Sequence, residues 1–355
     1  MDFERLRRLG WPFDGPPPEG PWRDALAAHP DATLARVIGQ HRLGYVIANE
    51  PGGAEQAEGP PQWRRPRFPS QDRAAVGDWV LLEGTRIVAV LERRTAIKRA
   101  AAGEHYHQQV IAANADAVFV VSGLDDAFNQ RRIERYLLLV VGTGAQPVVV
   151  LTKVDLANRE DEVRALRSKL SAQDIPVFAV NAKDPRSLEV LEPWLGVGRT
   201  VALVGPSGVG KSTLTNTLLG EDRMRTGEVR ESDSRGRHTT THRLIVTLPT
   251  GACLVDSPGM RELKPTGEED LAEGGFEDIE TWMVQCRFPD CLHQSEPGCE
   301  VRAAVERGEL EVKRLANYLK LRREVAAAAD RLAGRQVETP DRRGRKPQPG
   351  RRRKR

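Results

Sequence analysis

The segment TVALVGPSGVGKST, residues 200–213, decides how the whole chain is read. An apolar run ending at Val204 reads as a buried strand, and the residues from Thr213 to Gly220 have helical spacing. Between them, Gly205, Pro206, Ser207, Gly208, Val209, Gly210, Lys211, Ser212 and Thr213 fit the pattern G-x4-G-K-[ST]. Glycines in this place let successive backbone N–H groups curl around a phosphate at a helix N-terminus that already favours anions. Lys211 is then placed to neutralise β- and γ-phosphates as a catalytic cation, and Ser212 to ligate magnesium. The competing reading, a glycine-rich turn without a nucleotide, does not need this strand–loop–helix setting.

Working outward, Asp256-Ser-Pro-Gly259 ends the apolar run ACLV and fits D-x-x-G. In that element Asp256 holds magnesium through water and the Gly259 N–H senses the γ-phosphate. The polar loop Ser234–Thr241 lies between the two motifs and should supply a threonine to the magnesium shell, with Thr240 favoured and Thr239 next. Met260 follows Gly259 where many GTPases carry a water-orienting glutamine. Methionine cannot orient water, so His238 is the candidate for that catalytic task, with a core or RNA-facing role as its alternative.

Base recognition is expected upstream. Thr152, Lys153, Val154 and Asp155 follow the strand PVVVL and resemble N-K-x-D. Asp155 can accept from guanine N1–H and the 2-amino group, donors that adenine lacks there. Asn181, Ala182 and Lys183 follow IPVFAV and match S-A-K, whose backbone N–H contacts the guanine carbonyl. Each motif departs at its first residue, Thr152 for asparagine and Asn181 for serine. The base motifs precede the phosphate loop, the reverse of the ordinary order, so the GTPase sheet is circularly permuted. A doubly wound sheet tolerates this when new termini open at a surface loop.

Around this core, residues 101–265 read as the α/β nucleotide-binding domain, with largely parallel strands that include RLIVTLP at 243–249. Residues 31–100 show short alternating runs separated by Gly and Pro turns, as in a small antiparallel barrel of OB type. Residues 1–30 read as an irregular Pro- and Gly-rich leader. Residues 266–333 are helix-rich, with one long amphipathic helix over 309–332, and 334–355 form a basic, disordered tail. Cys286, Cys291, His293 and Cys299 make a Cys3His set, typical of a structural rather than catalytic zinc ion. Cys253 reads as a core residue of its strand.

The net charge is +4, yet the fourteen residues Arg342–Arg355 carry nine Lys or Arg and no acid. A second basic zone, Trp63–Arg99, sets nine basic residues against four acids. Such concentration suits a phosphate backbone better than a small acidic substrate. No apolar run approaches the roughly 20 residues that span a bilayer, and MDFERLRRLG lacks a secretory signal. A cytoplasmic protein without membrane contact is expected.

The permuted order, GPSGVGKST, GRHTTT, DSPGM and the C-x4-C-x-H-x5-C cluster together resemble the family of ribosome small-subunit-dependent GTPases (RsgA) over residues 30–330. The resemblance implies an OB-fold, a permuted GTPase core and a zinc domain, with GTP/GDP, Mg2+ and one structural Zn2+ as ligands. It also implies slow GTP hydrolysis stimulated by the 30S subunit, binding to 16S rRNA, and a functional link to release of ribosome-binding factor A. A monomer is expected. Two further readings compete: an RNA-binding chaperone that GTP merely switches, and a P-loop metabolite kinase, which the base motifs disfavour.

Overall fold

A computed structural model of the chain describes residues 1–41, 44–65, 68–100, 108–126, 128–156, 158–221, 244–256 and 263–337. The first thirty residues differ from the expected irregular leader. They form two helices, α1 (Phe3–Arg7) and α2 (Pro21–Ala28). Asp2 caps α1 by accepting from the Arg5 N–H at 3.2 Å, and Pro21 begins α2 where its fixed φ suits a first helical position. The physical reason for the order is aromatic burial. Phe3, Trp11, Phe13 and Trp22 interlock with Trp79, with Trp11 edge-on to Trp79 at 4.9 Å between ring centroids.

Next come the strands β1 (Thr33–Gln40), β2 (Tyr45–Ala48), β3 (Glu55–Ala57), β4 (Trp79–Glu83) and β5 (Arg86–Val90). β1 pairs with β2 and β4, β2 with β3, and β4 with β5, all antiparallel. A parallel bridge between Glu58 and Arg86 draws the two edges of this curled sheet together. Alternation divides its side chains between two cores. Ala35, Val37, Ile47, Val80 and Leu82 fill the concave side. Leu34, Trp79 and Leu81 face the other way, where Leu6, Leu9, Trp11 and Trp22 cover them.

A hairpin, β6 (Ala96–Ala100) and β7 (Gln108–Ala113), leads into the α/β unit. That unit contains β8 (Ala117–Gly123), α3 (Gln130–Val141), β9 (Gln146–Thr152), α4 (Glu160–Ser171), β10 (Val177–Ala179), β11 (Thr200–Val204), α5 (Lys211–Leu219), β12 (Leu244–Thr247) and β13 (Cys253–Asp256). The order β10-β9-β8-β11-β13 is parallel throughout. β12, expected among largely parallel strands, runs antiparallel to β13. Only the turn Leu248–Ala252 joins the two, closed by Leu248 N–H donating to Ala252 O at 2.8 Å, and so short a link cannot make a crossover. The far edge of β12 meets β1 at Leu244 opposite Gly39, so the curled sheet continues the α/β sheet.

Beyond Leu263 the chain is helical: α6 (Glu277–Met283), α7 (Glu300–Glu306) and α8 (Val312–Val337). The long helix expected from residue 309 begins at 312, where Glu311 O accepts from the N–H groups of Arg314 and Leu315. Phe276, Ile279, Val301, Tyr318 and Leu321 form the core of this unit, and Leu138 of α3 completes it. Beside that contact, the buried Glu134 of α3 accepts from Lys169 at 2.5 Å, Asn317 at 2.6 Å and Arg314 at 3.0 Å.

Arg36 joins these layers. Its guanidinium is fully buried and donates to Leu9 O, Thr200 Oγ1 (2.8 Å), Gly77 O (3.3 Å) and Asn114 O (3.4 Å). Burial lowers its pKa from the ordinary value, opposed by the nearby Cys253, Asp116 and Asp78. Arg36→Met keeps a similar length of stem but leaves those oxygens unpaired, at roughly 1–3 kcal/mol for each group that water cannot reach. We expect urea unfolding followed by circular dichroism to show a loss of at least about 3 kcal/mol, the sum for two or three such groups. An unchanged midpoint would remove Arg36 from this role.

Candidate nucleotide and metal sites

Gly205 through Gly210 lie between β11 and α5, and Lys211, Ser212 and Thr213 form the first turn of α5. Gly205 has φ 143°, and a Cβ there would sit 2.3 Å from Val121 O of β8, so the loop can leave the sheet only through glycine. Ser207 and Gly208 are exposed at the tip, and Val209 turns inward into the core beneath α5. Lys211 is buried, and its Nζ donates to the carbonyls of Gly205 at 2.7 Å and Pro206 at 2.5 Å. Its ammonium therefore sits at the root of the loop, over the first turn of α5.

The base loops converge on this cradle. Thr152 closes β9 with no exposure to solvent, and its Oγ1 donates to Val209 O in the phosphate loop at 2.5 Å. The hydroxyl thus ties the base loop to the phosphate loop, which answers the absence of an asparagine amide. Lys153 adopts a left-handed backbone, φ 62°, and its Nζ pairs with Asp125 Oδ2 at 2.5 Å. Val154 and Asp155 stand exposed on the following turn.

Asn181 folds back on its own loop, with Oδ1 accepting from Lys183 N–H at 3.0 Å. Its own N–H donates to Ser187 Oγ at 2.9 Å. Thr217 of α5 donates to Ala182 O at 2.7 Å, so this loop too is fastened to the phosphate-loop helix. A cavity of about 670 Å3 opens beside the Val154–Asp155 turn, but α4 residues Glu160, Val163, Arg164 and Arg167 form its other wall. It therefore lies on the α4 side of the base loop and does not reach the phosphate cradle.

Asp256 ends β13, beside β11, which carries the phosphate loop. Gly259, Met260, His238, Thr239 and Thr240 lie outside the described residues, as does the tail from residue 338. Asp125, Ser187 and Thr217 were missed by motif reading. Asp125 carried one signal, an acid two residues after the buried run AVFVVSG; the other two look like ordinary helix and turn residues.

The metal-site expectation concerns four side chains in the helical unit. The Cys286, Cys291 and Cys299 sulfurs and a His293 ring nitrogen all lie within 4.8 Å of one another. His293 Nδ1 faces Cys299 Sγ at 3.5 Å and Cys286 Sγ at 3.7 Å. Tetrahedral Zn–S bonds of about 2.3 Å give edges of about 3.8 Å, so the set fits such an ion. Burial, with the adjoining Cys291 and Cys286 thiols, pushes the Cys299 thiol up to about 11. A divalent cation at the centre reverses that cost by stabilising thiolates.

The loop is preorganised by Glu296, whose carboxylate accepts from the N–H groups of Gln294 (2.8 Å), Ser295 (3.0 Å) and Leu292 (3.1 Å). Those bonds, with its own backbone N–H first, hold its pKa down to about 2.

A phosphate loop preceded in the chain by both base-side loops, on a parallel sheet in this order, defines a circularly permuted P-loop GTPase. Comparison with known proteins agrees. The profile of the RsgA GTPase family matches residues 90–266. A protein of Xanthomonas axonopodis pv. citri named "Small ribosomal subunit biogenesis GTPase RsgA" is 65% identical over 334 residues, 94% of this chain and 92% of its own length. Its namesake in Xanthomonas campestris pv. campestris (strain B100) is 64% identical over the same shares.

The crystal structure of YjeQ from Thermotoga maritima superposes with a TM-score of 0.58 at 26% identity, covering 83% of this chain and 98% of that one. YloQ, described as a circularly permuted GTPase, gives 0.56 at 23% identity over 85% and 97%, and so speaks for the fold. The chain belongs to the RsgA GTPase family and hydrolyses GTP. Nucleotide-bound Mg2+ goes with that activity.

Two outcomes follow from the geometry. Thr152→Val leaves Val209 O without its donor, and roughly 1–3 kcal/mol for that loss corresponds to about tenfold weaker GDP and GTP binding. Titration of a fluorescent nucleotide reads this directly, and Thr152→Asn should retain most of the affinity. For the metal, elemental analysis should find one zinc per chain, and Cys299→Ser should lose it. Chelation should then melt the helical unit while nucleotide titration still shows binding.

Proposed function

We propose that this chain acts in late maturation of the 30S ribosomal subunit, binding 16S rRNA and using GTP hydrolysis to time its departure. The observation that carries the reading is the likeness, over nearly the whole chain, to proteins named for small-subunit biogenesis. Sequence charge supports an RNA partner, through the basic zone at 63–99 and the basic tail. The strand circuit β1-β2-β3-β5-β4-β1, closed by the Glu58–Arg86 bridge, supports assignment of the curled sheet as an OB-fold, a frequent platform for single-stranded nucleic acid.

Within the nucleotide site we assign guanine selection to Asp155, with Lys153 along the purine face and the Asn181–Lys183 loop at the carbonyl edge. Lys211 neutralises the β- and γ-phosphates, and Ser212, Thr240 and Asp256 hold Mg2+. Met260 supplies no water-orienting group, so His238 or the ribosome must position the nucleophile, and hydrolysis by the free protein is slow. Cys286, Cys291, His293 and Cys299 hold one structural zinc, whose role is to fix the turns between α6 and α7. We further infer a cytoplasmic monomer whose cycle is linked to release of ribosome-binding factor A. No helix among the described residues is long and apolar enough to cross a membrane.

The test is GTP turnover measured alone and with purified small or large subunits, alongside co-sedimentation. Small subunits should raise turnover by about a hundredfold or more, on the order that one well-placed catalytic group supplies. Large subunits should not, and Lys211→Ala should remove both rates. Co-sedimentation that follows the nucleotide while turnover stays unstimulated would favour instead a GTP-switched RNA chaperone. The missing glutamine at Met260 is the observation that keeps this second reading in view.

A further inference from the structure

We propose that Asp125 is a positioning residue of the guanine site, holding Lys153 so that its alkyl stem forms the platform on which the purine lies. The inference rests on the reading of the base loop given above and extends it to a residue outside the motif. Three observations carry it. Lys153 Nζ and Asp125 Oδ2 are 2.5 Å apart, with both side chains about a third exposed or less. The stem passes over Gly123, where a Cβ would lie 3.4 Å from Lys153 Cδ and 3.0 Å from Asp125 Oδ1, so both side chains pack closely over that glycine. The two segments are also joined along the backbone, Leu124 N–H donating to Thr152 O at 2.9 Å, which fixes the reach from the short Asp side chain to the ammonium.

A lysine stem on an exposed turn samples many rotamers, and a flat ligand must halt that motion when it binds. Pairing the ammonium in advance removes part of that cost. The same pair as a plain surface ion pair would contribute about 0–1 kcal/mol to stability and nothing to base recognition. The two cases therefore differ in what they do to nucleotides that have a base and to those that lack one. Tripolyphosphate engages the phosphate cradle alone, whereas GDP and GTP also need the platform.

The experiment measures displacement of a fluorescent GDP from the full-length protein by GDP, GTP, ATP and tripolyphosphate, for the wild type, Asp125→Ala, Asp125→Asn and Asp125→Glu. Asp125→Ala and Asp125→Asn should each weaken GDP and GTP about fivefold, the ratio that about 1 kcal/mol gives, and leave tripolyphosphate competition unchanged. Asp125→Glu should recover part of the loss. In a Lys153→Ala background, removing Asp125 should cost nothing more, since the platform is already gone.

If Asp125→Asn, nearly isosteric and folded by circular dichroism, binds GDP as the wild type does, the proposal is wrong. It is equally wrong if tripolyphosphate weakens in step with GDP, which marks a general loosening of the site. A wild type that binds ATP as tightly as GTP overturns the base-loop reading itself, and the proposal with it. A wild type selective for guanine with an indifferent Asp125→Asn overturns the proposal alone.

Discussion

A single buried cation holds the layers of this molecule in register. Arg36 lies on β1 of the curled sheet, yet its acceptors come from the N-terminal segment (Leu9), the turn before β4 (Gly77), the end of the hairpin (Asn114) and the strand that carries the phosphate loop (Thr200). A buried charge is costly unless its donors are satisfied, so each of these segments is constrained to present an oxygen at one point. The aromatic cover over Trp79 depends on the same point, since Arg36 stacks on that ring at 5.3 Å. Asp116 extends the constraint by accepting from Thr200 N–H at 2.8 Å, which fixes the start of β11 from the opposite side.

The consequence reaches the nucleotide site through the sheet. β12 follows the segment expected to supply a threonine to the magnesium shell and is bonded on one edge to β13 and on the other to β1. The N-terminal segment supports the turn between β12 and β13, where Thr247 Oγ1 and Cys253 Sγ both point to Arg8 O at 3.5 and 3.8 Å. A displacement of β12 therefore loads the curled sheet and its cover. On the other side, the permuted chain passes from Asp256 toward the helical unit, which is locked to α3 by Glu134 accepting from Arg314 and Asn317 of α8. Arg314 contributes there twice over, donating to Asp278 at 2.6 Å and lying over the Phe276 ring at 4.9 Å. Both flanking units are thus fastened to the α/β unit, one through β1 on the edge of β12 and the other through α3.

What could be read in the sequence was whatever local chemistry determines. The phosphate loop, the two base loops, the Cys3His set and the run of parallel strands each carry their own pattern within a few residues. The parts that escaped depend on distant partners. Arg36 sits in LARVIG, where alternation makes a lone arginine look like the solvent side of a strand; only the Trp11 cover, more than twenty residues earlier, makes that side an interior. The first thirty residues read as irregular because they are rich in Pro and Gly, although Trp11 and Trp22 become core once β4 supplies Trp79, with Phe3 and Phe13 packed against them. The reversal of β12 was set by the length of one turn, a quantity that hydrophobic pattern does not encode.

The two atypical base-loop residues sharpen this distinction between residue type and task. An asparagine at 152 would offer an amide donor, and the threonine here offers a hydroxyl donor to Val209 O. The Thr152 hydroxyl reaches that carbonyl because β9 ends deep enough for a short side chain to arrive. Likewise Asn181 supplies in one residue the acceptor that orders the Lys183 N–H. Substitution at these positions is tolerated when the backbone brings a different atom to the same place. The opposite holds at Gly205, where no side chain can be accommodated against Val121 O. Motif consensus is therefore a strong guide where backbone meets backbone and a weaker one where a side chain only has to reach.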